Sequence, residues 1–203
     1  RGESRLSGIY VEDTAMTSVV SYPRRCSLWG NSAFRGNCDG QLFKNLVLRY
    51  GASRVADPMM GSGTTRDVIE GLNRVTGRRI HYWGSDLSLG FNLVRNDLPG
   101  DFDFVWVSRA KTYCDFVLKL HGCLKRCYNA LLPGGRLVVL VGDVRRGGTY
   151  TPIVRDLLNM EGEVGSLRSI IIKTQHNCTS DGIRYARMED VMIQHEYCCV
   201  FKK

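Results

Sequence analysis

Several things are missing from this sequence, and each absence narrows what it encodes. No apolar run is long enough to span a bilayer, so no membrane partner is expected. No secretory signal is seen, which points to a reducing cytoplasm. The eight cysteines are then expected as free thiols. None of them form a Cys-x-x-Cys pair. Cys123 and Cys127 stand four apart with no partner pair of matching spacing. No metal site is expected, and small buried apolar cysteine is the better reading. Internal repeats and low-complexity tracts are also lacking.

What remains is 203 residues, 43% hydrophobic and 24% charged, the composition of one globular domain with a real core. The formal net charge of +8 favours polyanionic partners such as nucleic acid or an acidic membrane surface, although many basic proteins bind neither.

Periodicity supplies the elements. Residues 1–25 are polar, without clear period, and read as an N-terminal arm. Residues 26–40 read as a loop packed on something, and the domain is taken as 26–203. Apolar positions Leu42, Phe43, Leu46, Val47 and Tyr50 recur at helical spacing, and Gly51 fits the stop. A strand at 54–57, a Gly-rich turn and a helix from Thr64 follow. Further strands are expected at 80–85, 102–107 and 136–141, and helices at 113–132 and 152–159. Pro133-Gly134-Gly135 reads as a tight turn. Strands at 167–173 and 192–203 close the chain as a hairpin-like edge. The alternation predicts an α/β fold with a mostly parallel, doubly wound, Rossmann-like sheet and an antiparallel C-terminal edge.

The chemistry concentrates at Asp57-Pro58-Met59-Met60-Gly61-Ser62-Gly63-Thr64-Thr65. A strand ending in an acid, then glycines, then a helix lets the backbone approach a ligand at the carboxyl ends of the strands. Asp86 ends the second strand, where a carboxylate can accept from both ribose hydroxyls. A plain structural turn is the competing reading, weakened by the joint presence of both acids and both glycines. Two absences narrow the ligand. The third glycine of a dinucleotide fingerprint is replaced by Arg66, and the Gly-Lys-Ser/Thr of a phosphate-binding loop is missing. A ligand without phosphates is favoured, and S-adenosylmethionine is one.

The run from Asp57 to Thr65 resembles the Asp-Pro-Phe-x-Gly-Ser-Gly-Thr-Thr motif of DNA methyltransferases that modify exocyclic amines of adenine or cytosine. Residues 31–48 resemble the cofactor-side motif preceding it in phage and bacterial enzymes. Trp83-Gly84-Ser85-Asp86-Leu87 resembles the ribose-binding strand end. Pro133-Gly134-Gly135, Val141-Gly142-Asp143-Val144-Arg145 and the segment 192–203 resemble the later sheet motifs. The resemblance covers about residues 28–203. It implies a methyltransferase fold of the S-adenosylmethionine-dependent kind, that cofactor, and DNA as substrate in a bacterial or phage-infected cytoplasm. The residues it assigns to the cofactor are Asp57, Pro58, Met59, Gly61, Ser62, Gly63, Thr64, Asp86 and Leu87, with Phe34, Asn37 and Asp39 from the preceding motif. A short chain leaves little room for target recognition, so loops, a partner subunit or a homo-oligomer are expected to supply it.

The family's catalytic motif is a polar residue followed by Pro-Pro-aromatic, which accepts the amine hydrogens and stacks the flipped-out base. Here the strand leads into Ser108-Arg109-Ala110-Lys111. Ser108 can serve as the polar residue and Tyr113 as the aromatic, yet both prolines are gone. An active enzyme with altered geometry, an inactive cofactor- or nucleic-acid-binding pseudoenzyme acting through partners, and a site for another substrate remain the alternatives. Arg145 and Arg146 are candidates for a phosphate backbone, against a solvated charged loop. Asp143 is expected near the site, with a cap or a bridge to either arginine as the competing role. His195 and Glu196 read as structural.

Overall fold

Apolar residues alternating along neighbouring strands bury both faces of a central seven-stranded sheet. In this computed structural model the described residues are 8–13, 15–31, 33–34, 38–108, 114–146, 148–176 and 189–203, without the side chains of 114–118 and 146. The strands are β1 (Val19–Ser21), β2 (Arg54–Asp57), β3 (His81–Gly84), β4 (Phe102–Ser108), β5 (Leu131–Val141), β8 (Ser166–Thr174) and β9 (His195–Lys202), with a small separate hairpin of β6 (Val144–Arg146) and β7 (Thr149–Thr151). The sheet order is β1-β8-β9-β5-β4-β2-β3. Every pairing is parallel except those of β9 with β5 and β8. The carboxyl ends of the parallel strands therefore share one edge of the sheet. This is a Rossmann-like α/β fold.

Helices α1 (Gln41–Arg49) and α2 (Thr64–Thr76) cover one face, where Phe43, Leu46, Val68, Ile69 and Leu72 meet Phe104, Trp106 and Val138. Phe43 packs edge-on against Trp106, centroids 5.4 Å apart. Helices α3 (Cys114–Asn129) and α4 (Ile153–Leu158) cover the other, where Leu124, Cys127 and Leu157 meet Val105, Val139 and Cys199. Cys26, Cys38, Cys123, Cys127, Cys198 and Cys199 are free thiols.

Three expectations change. Pro133-Gly134-Gly135 is not a separate turn before a strand but part of β5. Phe102 pairs with Leu131 and Phe104 with Arg136, so the intervening residues bulge out. Gly134 takes φ +79° there, and its N–H donates to Lys203 O at 2.9 Å. The closing strands are not the sheet's edge, because β1 adds beyond β8. That strand comes from the segment read as an arm, which is anchored further in. Tyr10 is buried and its hydroxyl accepts from Trp29 Nε1 at 3.1 Å. Lys44 Nζ donates to the carbonyls of Ile9 and Val11 at 2.9 and 2.8 Å.

Candidate functional site

The carboxyl ends of β2 and β3 are joined by the glycine turn. Ser85 N–H donates to Asp57 O at 3.0 Å and Met60 N–H to Ser85 O at 3.1 Å. Gly61 and Gly63 take φ +56° and +83°, the left-handed region that glycine enters freely. A side chain at Gly61 would begin 3.1 Å from the ring of Phe34, and Phe34 itself is 45% exposed on the rim.

Asp57 and Asp86 divide the work. Asp57 is buried and turned inward. Its carboxylate accepts from Met59 N–H at 3.0 Å and from Thr65 Oγ1 at 2.5 Å. With the Thr65 hydrogen committed there, the Tyr82 hydroxyl 2.8 Å away donates to Thr65. Desolvation raises the Asp57 pKa from 3.8 to about 6, against those hydrogen bonds and with the Asp86 charge adding to it. Its observed part is to close the turn.

Asp86 is half-buried just past the end of β3. Oδ1 accepts from Ser88 N, Ser88 Oγ and Leu89 N at 2.8, 2.5 and 3.3 Å. Oδ2 accepts from Gly61 N–H at 3.0 Å, tying the two strand ends together. Partial burial opposes ionisation, but the bonds from Ser88, Leu89 and Gly61 outweigh it and hold the pKa below the ordinary value. A carboxylate oxygen has two lone pairs, so Oδ2 has capacity for one more donor. Beside Asp86 lies an open depression of about 420 Å³ lined by Ser85, Leu89, Phe91, Asn96 and Pro99 among others.

The structure brings the other cofactor candidates around this turn in different ways. Ser62 Oγ accepts from Asn31 N–H at 3.2 Å, pinning the loop read from 26–40. Asp67, in the first turn of α2, accepts from Gly30 N–H at 2.8 Å. Thr64 is buried beneath Gly40. Pro58 is buried, Met59 packs against the second core, and Leu87 is 74% exposed on a 3₁₀ turn, Leu87–Leu89. Asn37 lies outside the described residues.

Ser108 ends β4 beside Leu140, half-buried at the same sheet edge. Residues 109–111 and Tyr113 lie outside the described residues. The expectation for Arg145 changes. Its Nη1 is 2.6 Å from Asp190 Oδ2, its guanidinium lies over the Tyr150 ring, and its side chain is 11% exposed. Already paired and mostly enclosed, it is not an open phosphate contact. The Arg146 side chain is not described. Asp143 takes the capping role rather than a bridge to Arg145: it accepts from Tyr150 Oη at 2.6 Å and from Val154 N–H, in the first turn of α4, at 3.0 Å.

Sequence reasoning missed Lys173. Its Nζ lies 3.3 Å from Asp39 Oδ2 and 3.3 Å from Glu196 Oε2, with side chains 9%, 14% and 6% exposed. The signal was there: a lysine ending the apolar run Ile170-Ile171-Ile172, beside a glutamate at the start of β9.

No family model matches the chain. No curated protein matches it either. Among solved structures it is similar to a putative hemolysin from Lactococcus lactis, at 11% identity over 85% of this chain and 90% of that one, TM-score 0.52. That likeness bears on the fold alone. It is also similar to a putative DNA modification methylase from Thermus thermophilus, complexed with S-adenosyl-L-methionine, at 24% identity over 55% of this chain, TM-score 0.40. The chain spans 49% of that methylase's length. A third is the N-methyltransferase NodS from Bradyrhizobium japonicum WM9 in complex with S-adenosyl-L-homocysteine, 11% identical over 81% of this chain and 87% of that one, TM-score 0.47.

Proposed function

We propose that the chain binds S-adenosylmethionine and is a DNA methyltransferase-like domain directed at an exocyclic amine of adenine or cytosine. The observation that carries the cofactor reading is Asp86: an ionised carboxylate at the end of β3, bonded to the glycine turn and with acceptor capacity left over. A ribose diol suits it, and the depression beside Ser85 and Phe91 suits the attached ring. Gly61 and Gly63 bring backbone close to the remainder of the ligand, with Phe34 over the turn. When bound, the cofactor supplies an electrophilic methyl group on a sulfonium.

Calorimetric titration with S-adenosylmethionine tests it. The wild type binds, and Asp86→Ala loses roughly 10- to 100-fold in affinity, the worth of a charge-assisted hydrogen bond. The same variant keeps its far-ultraviolet spectrum. Absence of wild-type binding removes the cofactor reading.

Transfer itself is assigned to Ser108, at the end of β4, with Tyr113, five residues on in sequence, as the aromatic. A second reading is favoured by Arg109 and Lys111 standing where prolines and an aromatic wall are needed. In it the domain is a pseudoenzyme that binds cofactor or nucleic acid for a partner. Losing a rigid positioning turn costs several kcal/mol of barrier. Radiolabelled methyl transfer to unmodified DNA separates the two. Incorporation by the wild type supports the enzyme. Incorporation only after Arg109→Pro, Ala110→Pro and Lys111→Tyr are combined supports the pseudoenzyme.

A further inference from the structure

The loop ahead of α1 is fixed from two sides. On one side it is fastened to the glycine turn. Asn31 N–H bonds Ser62, Gly30 N–H bonds Asp67, and Phe34 lies over Gly61. Gly40, at φ +81°, approaches so closely that a Cβ there would lie 2.8 Å from the Trp29 ring and 3.0 Å from Thr64 Cγ2. On the other side is Lys173, on β8, whose ammonium meets Asp39 of the loop and Glu196 of β9. Asp39 Oδ1 accepts from Gln41 N–H at 2.9 Å, so the carboxylate that meets Lys173 also starts α1. Between the two sides sits Cys38. Enclosure pushes its thiol pKa up to about 12, and it senses the charges of Asp39, Asp57 and Lys173 together.

Burial would lower the Lys173 pKa, but Glu196 and Asp39 more than reverse this, so the ammonium keeps its proton. A buried ammonium that spans two carboxylates on separate segments acts as a strut between them, because breaking a buried ion pair is costly. Glu196 is held within the sheet through β9, while Asp39 belongs to the loop. The strut thus couples the C-terminal strands to the loop that is fastened to the glycine turn.

We propose that Lys173 is a positioning residue for the cleft: through Asp39 it sets the 38–40 wall that receives the amino-acid end of the cofactor. This rests on the cofactor reading above. The ribose end is assigned instead to Asp86, just past the end of β3. The two ends of the ligand should therefore respond differently.

The test compares S-adenosylmethionine with 5′-methylthioadenosine, which lacks the amino-acid end, by calorimetry on the full chain. Lys173→Met weakens S-adenosylmethionine by roughly tenfold or more, while 5′-methylthioadenosine binds within about twofold of wild type. Lys173→Arg restores most of the loss. Asp39→Asn keeps the bond to Gln41 and gives the same selective loss, so it serves as the test if Lys173→Met does not fold. The double variant loses no more than the worse single one, because both break one strut. Equal weakening of both ligands, or unchanged affinity for S-adenosylmethionine, overturns the positioning role while leaving the cofactor reading intact. If the wild type binds neither ligand, the cofactor reading fails and the proposal with it.

Discussion

Asp57 carries a charge that the interior resists. Its folded pKa, about 6, lies above the unfolded value of 3.8, so the folded chain holds this proton more tightly than the unfolded one. Its contribution to stability is then most favourable below about pH 4 and declines as pH rises through 6. Asp57→Asn removes that decline: an amide can still accept from Met59 and can donate to Thr65. The variant is expected to gain on the order of 2 kcal/mol over wild type at pH 8, and little at pH 4, in urea unfolding followed at both values. Equal effects at the two pH values would refute the inward role. The sequence marks Asp57 as a strand-end acid before glycines, which is all that a pattern can show. That Thr65 and Tyr82 converge on it depends on the pairing of β2 with β3 and the start of α2, which no local pattern contains. Two of the partners of Asp86, Ser88 and Leu89, are by contrast its own neighbours in sequence. Lys173 was not legible, since its partners come from loop and strand 134 residues before and 23 after it.

At the scale of elements, α2 illustrates a propensity overruled by packing. Gly71 lies inside this helix, where alanine normally gains about 1 kcal/mol. Here a Cβ would fall 1.9 Å from the Tyr10 hydroxyl and 2.2 Å from its ring. Gly71→Ala is therefore expected to destabilise by about 1–3 kcal/mol in thermal unfolding. In the background of Tyr10→Ala the same change becomes neutral or stabilising. The strand at Arg54–Asp57 and the starts of α1 and α2 were legible, because apolar period and glycine punctuation agree there. β1 was missed because three residues are too few to show alternation, and its pairing with β8 is entirely non-local. The Pro133-Gly134-Gly135 run misled because turn residues also suit a bulge, and only the register of β4 against β5 distinguishes the two.

For the whole molecule, the alternation of strands and helices was enough to specify the class of fold. It was not enough to place the strand that finishes it. The segment before Tyr22 contributes buried Tyr10 and Val20 and one edge of the sheet. Deleting residues 1–21 is expected to cost roughly 3–5 kcal/mol from lost apolar burial, read as a lower denaturation midpoint. The net charge of +8 is the feature that most suggests a polyanion, and its use can be counted. Each free cation that meets a DNA phosphate expels condensed counterions and adds about 0.9 to the slope of log affinity against log salt. Arg145 has already exchanged its counterion for Asp190. In any DNA binding the chain shows, Arg145→Gln should leave that slope unchanged. The phosphate-facing charge would then have to come from other cations, and a shallower slope would mean that this guanidinium leaves Asp190 when DNA arrives.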